Sequence, residues 1–226
     1  MLTRGLSGTE LAIGLAGFML VWYVVGVQVN RRRARTMVRQ IRDSLQSFGG
    51  TATIRWIGRS AFRIEAEQLA PPFVRLGMSA LLEPRETILL LAVGRLRGRR
   101  DWLVIGATLS GPIRGSFEAY HPKRRGASDV IHDIQAKGWR EEPLAGQSEM
   151  RCAAADADGR ALAREIMAVI GGVAVWRIGL RHEAPQLTIS LPIPASETRV
   201  PLPVFAALPR LAQTVLAGGA PRVDPN

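Results

Sequence analysis

Seven basic side chains fall into two short runs, Arg95, Arg97, Arg99 and Arg100, then Lys123, Arg124 and Arg125. Guanidinium groups at this density suit phosphate, because the planar fork of arginine can meet two oxygens of one anion at once. A third run, Arg31, Arg32, Arg33 and Arg35, directly follows an uncharged stretch. With a formal net charge of +11 for the chain, the pattern points to an anionic partner. Lipid headgroups and nucleic acid both offer one. No aromatic residues interleave with these arginines and no nucleic-acid module is recognisable, so anionic phospholipid or phosphate is expected ahead of nucleic acid. The plainer use of such runs is a solvated turn that keeps strand edges from pairing.

A second group carries acid–base chemistry. Asp129, His132 and Asp133 fall on one predicted helix, with Glu118 and His121 in the strand before it. An imidazole beside carboxylates can act as a general base or bind a metal. The spacing matches no metal box, and neighbouring positions such as 132 and 133 point to different sides of a helix. The DADG at Asp156 to Gly159 has the opening of a calcium loop, but Met167 stands where the bidentate glutamate is needed, so helix capping explains it better.

Nucleophilic and cofactor chemistry find no motif. Ser79, Ser110 and Ser148 sit in no G-x-S-x-G setting, and no glycine-rich phosphate loop is present. Cys152 is the sole cysteine, which excludes an intrachain disulfide and a thiolate cluster. The residues thus nominate no catalytic, metal or cofactor group, and they predict binding or assembly. A membrane-tethered enzyme working around Asp129 and His132, and a tethered nucleic-acid binder, are the alternatives.

These groups are held by a chain that opens with an anchor. Leu11 to Asn30 carries no charge, and twenty residues span roughly 30 Å as a helix, the thickness of a bilayer core. Arg4 stands alone before the stretch, whereas six arginines lie between Arg31 and Arg42 after it, which places the following domain in the cytoplasm and the N-terminus outside. No small-residue cleavage site follows Val29, so the segment reads as an uncleaved single-pass anchor in an inner membrane. Trp22 and Tyr23 fall inside the stretch rather than at a rim. Small residues at Ala12, Gly14, Ala16 and Gly17 offer a face for self-association, so a homo-oligomer or other protein partner enters the expectations.

The chain therefore divides into a short N-terminus (1–10), a transmembrane helix (11–30), a basic juxtamembrane helix (31–48), an α+β domain (49–218) and a tail (219–226). Met37, Ile41, Leu45 and Phe48 keep helical spacing, and Gly49-Gly50 stops the helix. TATIRWIG and AFRIEAE predict a hairpin turning near Arg59-Ser60, closed by Pro71-Pro72. TILLLAVGRL and DWLVIGATL predict a second, central hairpin around Arg97-Gly98, covered on both faces, with SFEAYH as the third strand of its meander. Ser128 is expected to cap a helix to Lys137, a strand follows near 149–154, and Asp156 or Asp158 to cap the next helix, ended by Gly171-Gly172. VAVWRIGLRH and QLTISLPI predict another hairpin, and Pro203 opens a last helix toward Gly218 with Pro209 as a kink. The expected fold is α+β, a mostly antiparallel sheet with helices on one face. At an offset of 122, Arg42, Gly49, Gly50, Ala52, Arg55 and Arg59 match Arg164, Gly171, Gly172, Ala174, Arg177 and Arg181, which suggests a helix-plus-hairpin repeat.

Overall fold

Ser7 opens the first helix with a reciprocal cap: its hydroxyl accepts the Glu10 N–H, and the Glu10 carboxylate accepts the Ser7 N–H. This helix, α1 (Gly8–Gln46), runs unbroken for 39 residues, about 58 Å at helical rise. Its first half exposes Leu11, Ile13, Leu15, Phe18 and Leu20, and it is long and apolar enough to cross a membrane. Its second half is amphipathic. Asn30, Arg33, Met37, Ile41 and Leu45 are buried at steps of three or four residues.

The computed structural model describes residues 7–124, 126–144, 149–193 and 202–216. The expected tail and Gly218 lie outside them. Nine strands among the described residues form one antiparallel sheet. They are β1 (Thr51–Trp56), β2 (Ala61–Glu67), β3 (Phe73–Leu81), β4 (Asp101–Leu109), β5 (Phe117–Tyr120), β6 (Arg140–Pro143), β7 (Arg151–Ala154), β8 (Arg177–Leu180) and β9 (Leu187–Ile193). Their spatial order is β1-β2-β3-β4-β9-β8-β5-β7-β6. The β1–β2 hairpin forms as its alternation predicts, with Ile54 opposite Ile64. It makes one edge of the sheet, whereas the β8–β9 hairpin sits in the middle, so the two segments of the suggested repeat have different neighbours.

Helices cover both faces, a correction to the one-face expectation. Along β4 every odd residue from Asp101 to Leu109 is buried, and this inner face packs on the second half of α1, on α4 (Ala157–Ile170) and on α5 (Leu202–Val215). The opposite face receives α3 (Ala127–Ala136), whose Ala127, Val130 and Ile134 pack with Tyr120 and Ala153. Asp156 caps α4 by accepting the Gly159 N–H at 2.7 Å. Ser128 does not cap α3, because that helix begins two residues earlier than expected, with Gly126 at the capping position. Pro209 lies inside α5.

The largest departure is residues 88–96, expected as a strand and folded as a helix, α2 (Ile88–Leu96). A continuous apolar run has no phase to distinguish the two states, and Leu and Ala favour the helix. Gly98, expected in a hairpin turn, instead ends this helix at φ 69°. β4 is central, but only one of its faces is fully covered: Trp102, Val104, Gly106 and Thr108 on the outer side are half-buried. Nor does β5 continue a meander from β4; it lies across the sheet between β8 and β7.

On β7, Cys152 is buried on the inner face, and burial pushes its thiol up to about 11. The folded protein should therefore resist aromatic disulfide reagents at pH 8 and react fully once unfolded, as read by thiolate release. Because the folded thiol titrates above its ordinary value of 9, the stabilisation of its neutral form is complete below pH 9 and declines as the pH climbs toward 11. Rapid native labelling would show that the inner face opens.

Candidate anion-binding site

The joint between α1 and the domain is built on one buried carboxylate. Asp101, the first residue of β4, receives Arg33 Nε at 2.7 Å and the two terminal nitrogens of Arg85 at 3.1 and 3.0 Å. It also accepts the Glu83 backbone N–H at 2.6 Å. Asn30 donates to the Glu83 carbonyl at 2.9 Å and accepts from Arg85 at 3.0 Å. Arg33 was expected among the exposed phosphate ligands. Instead it is spent here, because it lies on the same helical stripe as Met37 and Ile41. Burial lowers its pKa from the ordinary arginine value, against the opposing pull of Asp101. Arg31, Arg32 and Arg35 lie off that stripe and are exposed.

Above the joint, α1 touches the segment that leads into α2. Trp22 Nε1 donates to the Arg85 carbonyl at 3.0 Å, and Gly26 lets the two backbones meet, since a Cβ there would lie 2.4 Å from that same oxygen. α2 is thereby set beside α1. The N–H groups of Arg97, Gly98 and Arg99 bond back to the carbonyls of Val93, Arg95 and Gly94, closing its C-terminus where basic side chains also suit the helix dipole.

That turn brings the two basic runs together. Arg97, Arg99 and Arg100 from the end of α2, and Lys123 and Arg124 from the loop after β5, line one cavity of about 110 Å³. Leu81, Leu82, Leu90, Leu91, Trp102 and Trp176 give it an apolar wall. The Arg124 guanidinium lies 5.5 Å from the centroid of the Trp176 ring, which packs 6.3 Å from Trp102. None of the five cations pairs with a carboxylate among the described residues. Glu83 is the one acid on the cavity wall, and it is already engaged by Arg85 at 3.4 Å and Arg95 at 3.5 Å. Arg95 turns away toward α1, lining a groove with Trp22, Val25 and Val29. Arg125 lies outside the described residues.

The acid–base group disperses. His132 and Asp129 are exposed on α3. Glu118 is buried, but it serves structure: it binds Arg177 at 2.9 and 3.0 Å and Arg181 at 2.6 Å, and Arg181 carries on to Asp133 at 2.6 Å. His121 does reach a second cavity of about 180 Å³, which shares Trp102, Arg124 and Trp176 with the first and includes Asp129. Both its ring nitrogens are occupied. Nδ1 accepts the Lys123 N–H at 3.2 Å, which puts the proton of the neutral ring on Nε2, 3.1 Å from Glu149. Among the described residues no group of three or more His, Cys, Asp or Glu side chains could hold a metal ion.

Sequence reasoning missed Trp102 on β4 and Trp176 just before β8, which nothing links until β4, β9 and β8 are placed side by side. No protein-family model matches the chain, and no curated protein matches it.

Proposed function

We propose that this is a single-pass inner-membrane protein, N-terminus outside, whose cytoplasmic α+β domain binds the phosphate of anionic phospholipid rather than catalysing a reaction. The observation that carries this reading is the convergence on a cavity with an apolar wall of five cations that pair with no carboxylate among the described residues. A phosphodiester with attached hydrocarbon matches both halves of that lining: guanidinium groups for the oxygens, leucine and tryptophan for the glycerol and first methylenes. The basic exit of α1 supports the orientation, since arginine bias after a span keeps that side cytoplasmic.

The test is a titration of full-length protein in nonionic detergent with short-chain phosphatidylglycerol or phosphatidylcholine, followed by the emission of Trp102 and Trp176. The anionic lipid should bind and the zwitterionic one should not. Replacing Arg99, Arg100 and Arg124 together by Gln should weaken binding at least about tenfold, since a charge-assisted hydrogen bond contributes on the order of 1.5–3 kcal/mol. Unchanged affinity in that variant would overturn the reading. Tighter, steeply salt-dependent binding to nucleic acid than to lipid would replace it with a nucleic-acid role.

A further inference from the structure

α2 is a helix that hides almost none of its apolar surface. Leu89, Leu90, Val93 and Leu96 are exposed, Leu96 to 89%, and only Gly94 is buried. A second apolar tip is exposed at the β1–β2 turn, where Trp56 and Ile57 are each at least half exposed. Both flank the same part of α1. Leu91 and Arg95 line a groove of about 250 Å³ with Trp22, Val25, Gly26 and Val29, and the Arg59 guanidinium of the β1–β2 turn lies 5.4 Å from the centroid of the Tyr23 ring.

Depth follows from this. A span that begins at Leu11 and crosses about 30 Å of hydrocarbon must continue to the level of Val29, so Trp22 to Val29 are its last two turns. Whatever packs against those turns shares their depth. A short helix is suited to that place, because its backbone groups are bonded internally, whereas an open strand edge is not.

We propose that α2 and the Trp56–Ile57 turn lie in the cytoplasmic leaflet beside α1, as a second, non-spanning membrane contact. Trp22, Tyr23 and Trp56 then form an aromatic cluster inside that leaflet, with Arg59 held over the Tyr23 ring, and Arg97, Arg99 and Arg100, beyond the end of α2, reach toward the headgroups. The inference rests on α1 being a span, but not on any ligand in the cavity.

The experiment uses full-length Cys152→Ala protein reconstituted in phosphatidylcholine–phosphatidylglycerol vesicles, with single spin labels at Ile57→Cys, Leu89→Cys or Val93→Cys. Phe18→Cys serves as the span control and Gln135→Cys, exposed on α3, as the aqueous control. Collision with oxygen should exceed collision with a water-soluble nickel chelate several-fold at 57, 89 and 93, as at 18, with the opposite ratio at 135. Nickel-dominated collision at 57, 89 and 93 while 18 stays oxygen-dominated would overturn the proposal and leave the span intact. Low collision with both probes would mean that protein covers the patch and would overturn it in favour of a partner or second copy. Nickel-dominated collision at 18 as well would remove the span and the proposal together.

Discussion

Asp101→Ala should cost about 3–5 kcal/mol, the usual loss when one member of a buried ion cluster is removed. For a chain of this size that is a fall in Tm on the order of 10 °C. The side chain of Asp101 is wholly buried, and its two oxygens hold Arg33, Arg85 and the Glu83 N–H. Without it, two guanidinium groups share the joint, with the Glu83 carboxylate 3.4 Å from Arg85 left to offset them. Asp101→Asn should lose less, since its amide oxygen still accepts from the Glu83 N–H. Thermal unfolding of the full-length protein in detergent, read by tryptophan emission, checks both. A loss below about 1 kcal/mol for the alanine variant would place the cluster with surface pairs that contribute little.

Gly26→Ala sets two rules against each other. Inside a helix, alanine is favoured over glycine by about 1 kcal/mol, which on its own predicts a more stable protein. Packing predicts the reverse, because the new methyl carbon would lie 2.4 Å from the Arg85 oxygen and 2.6 Å from the Glu86 Cα, and neither is a side chain that can swing away. Overpacking of this kind costs about 1–3 kcal/mol, so a net loss is expected. The Trp22 to Arg85 hydrogen bond should break as the helices part, giving a Trp22-dependent change in emission that Gly17→Ala does not share, since nothing lies within 4 Å of a Cβ at Gly17. A gain in Tm for Gly26→Ala would show that α1 and the Arg85 segment do not touch.

Where the sequence carried a phase, it was legible. The β1–β2 hairpin, α3, α4 and α5 lie close to where alternation, helical spacing and capping residues place them. β3 was hidden because a register shift between Phe73 and Arg75 breaks its alternation, and β6 because a polar edge strand ending in Pro143 has no buried face to announce it. The run 88–96 has too many apolar residues rather than too few. From Ile88 to Val93 every residue is apolar, so no contrast between inward and outward positions can form. At the site, the basic runs were visible as composition, but their meeting depends on the turn of α2 and on strand order. Arg33 was the readable error: it stands four, eight and twelve residues before Met37, Ile41 and Leu45, a phase that marks it as inward even within a run of arginines.

α1 enters the domain as one unbroken cylinder, clamped at Gly26, Asn30 and Arg33, with no pivot between the apolar half and the core. It is a shaft keyed to the domain from Gly26 onward. Turning it about its own axis turns the whole domain through the same angle, and a register change of one residue would correspond to about 100°. In the membrane setting proposed above, the direction in which the cationic cavity looks is therefore set by whatever grips the exposed apolar half of the shaft, so that its neighbours there decide which passing surface the domain is able to meet.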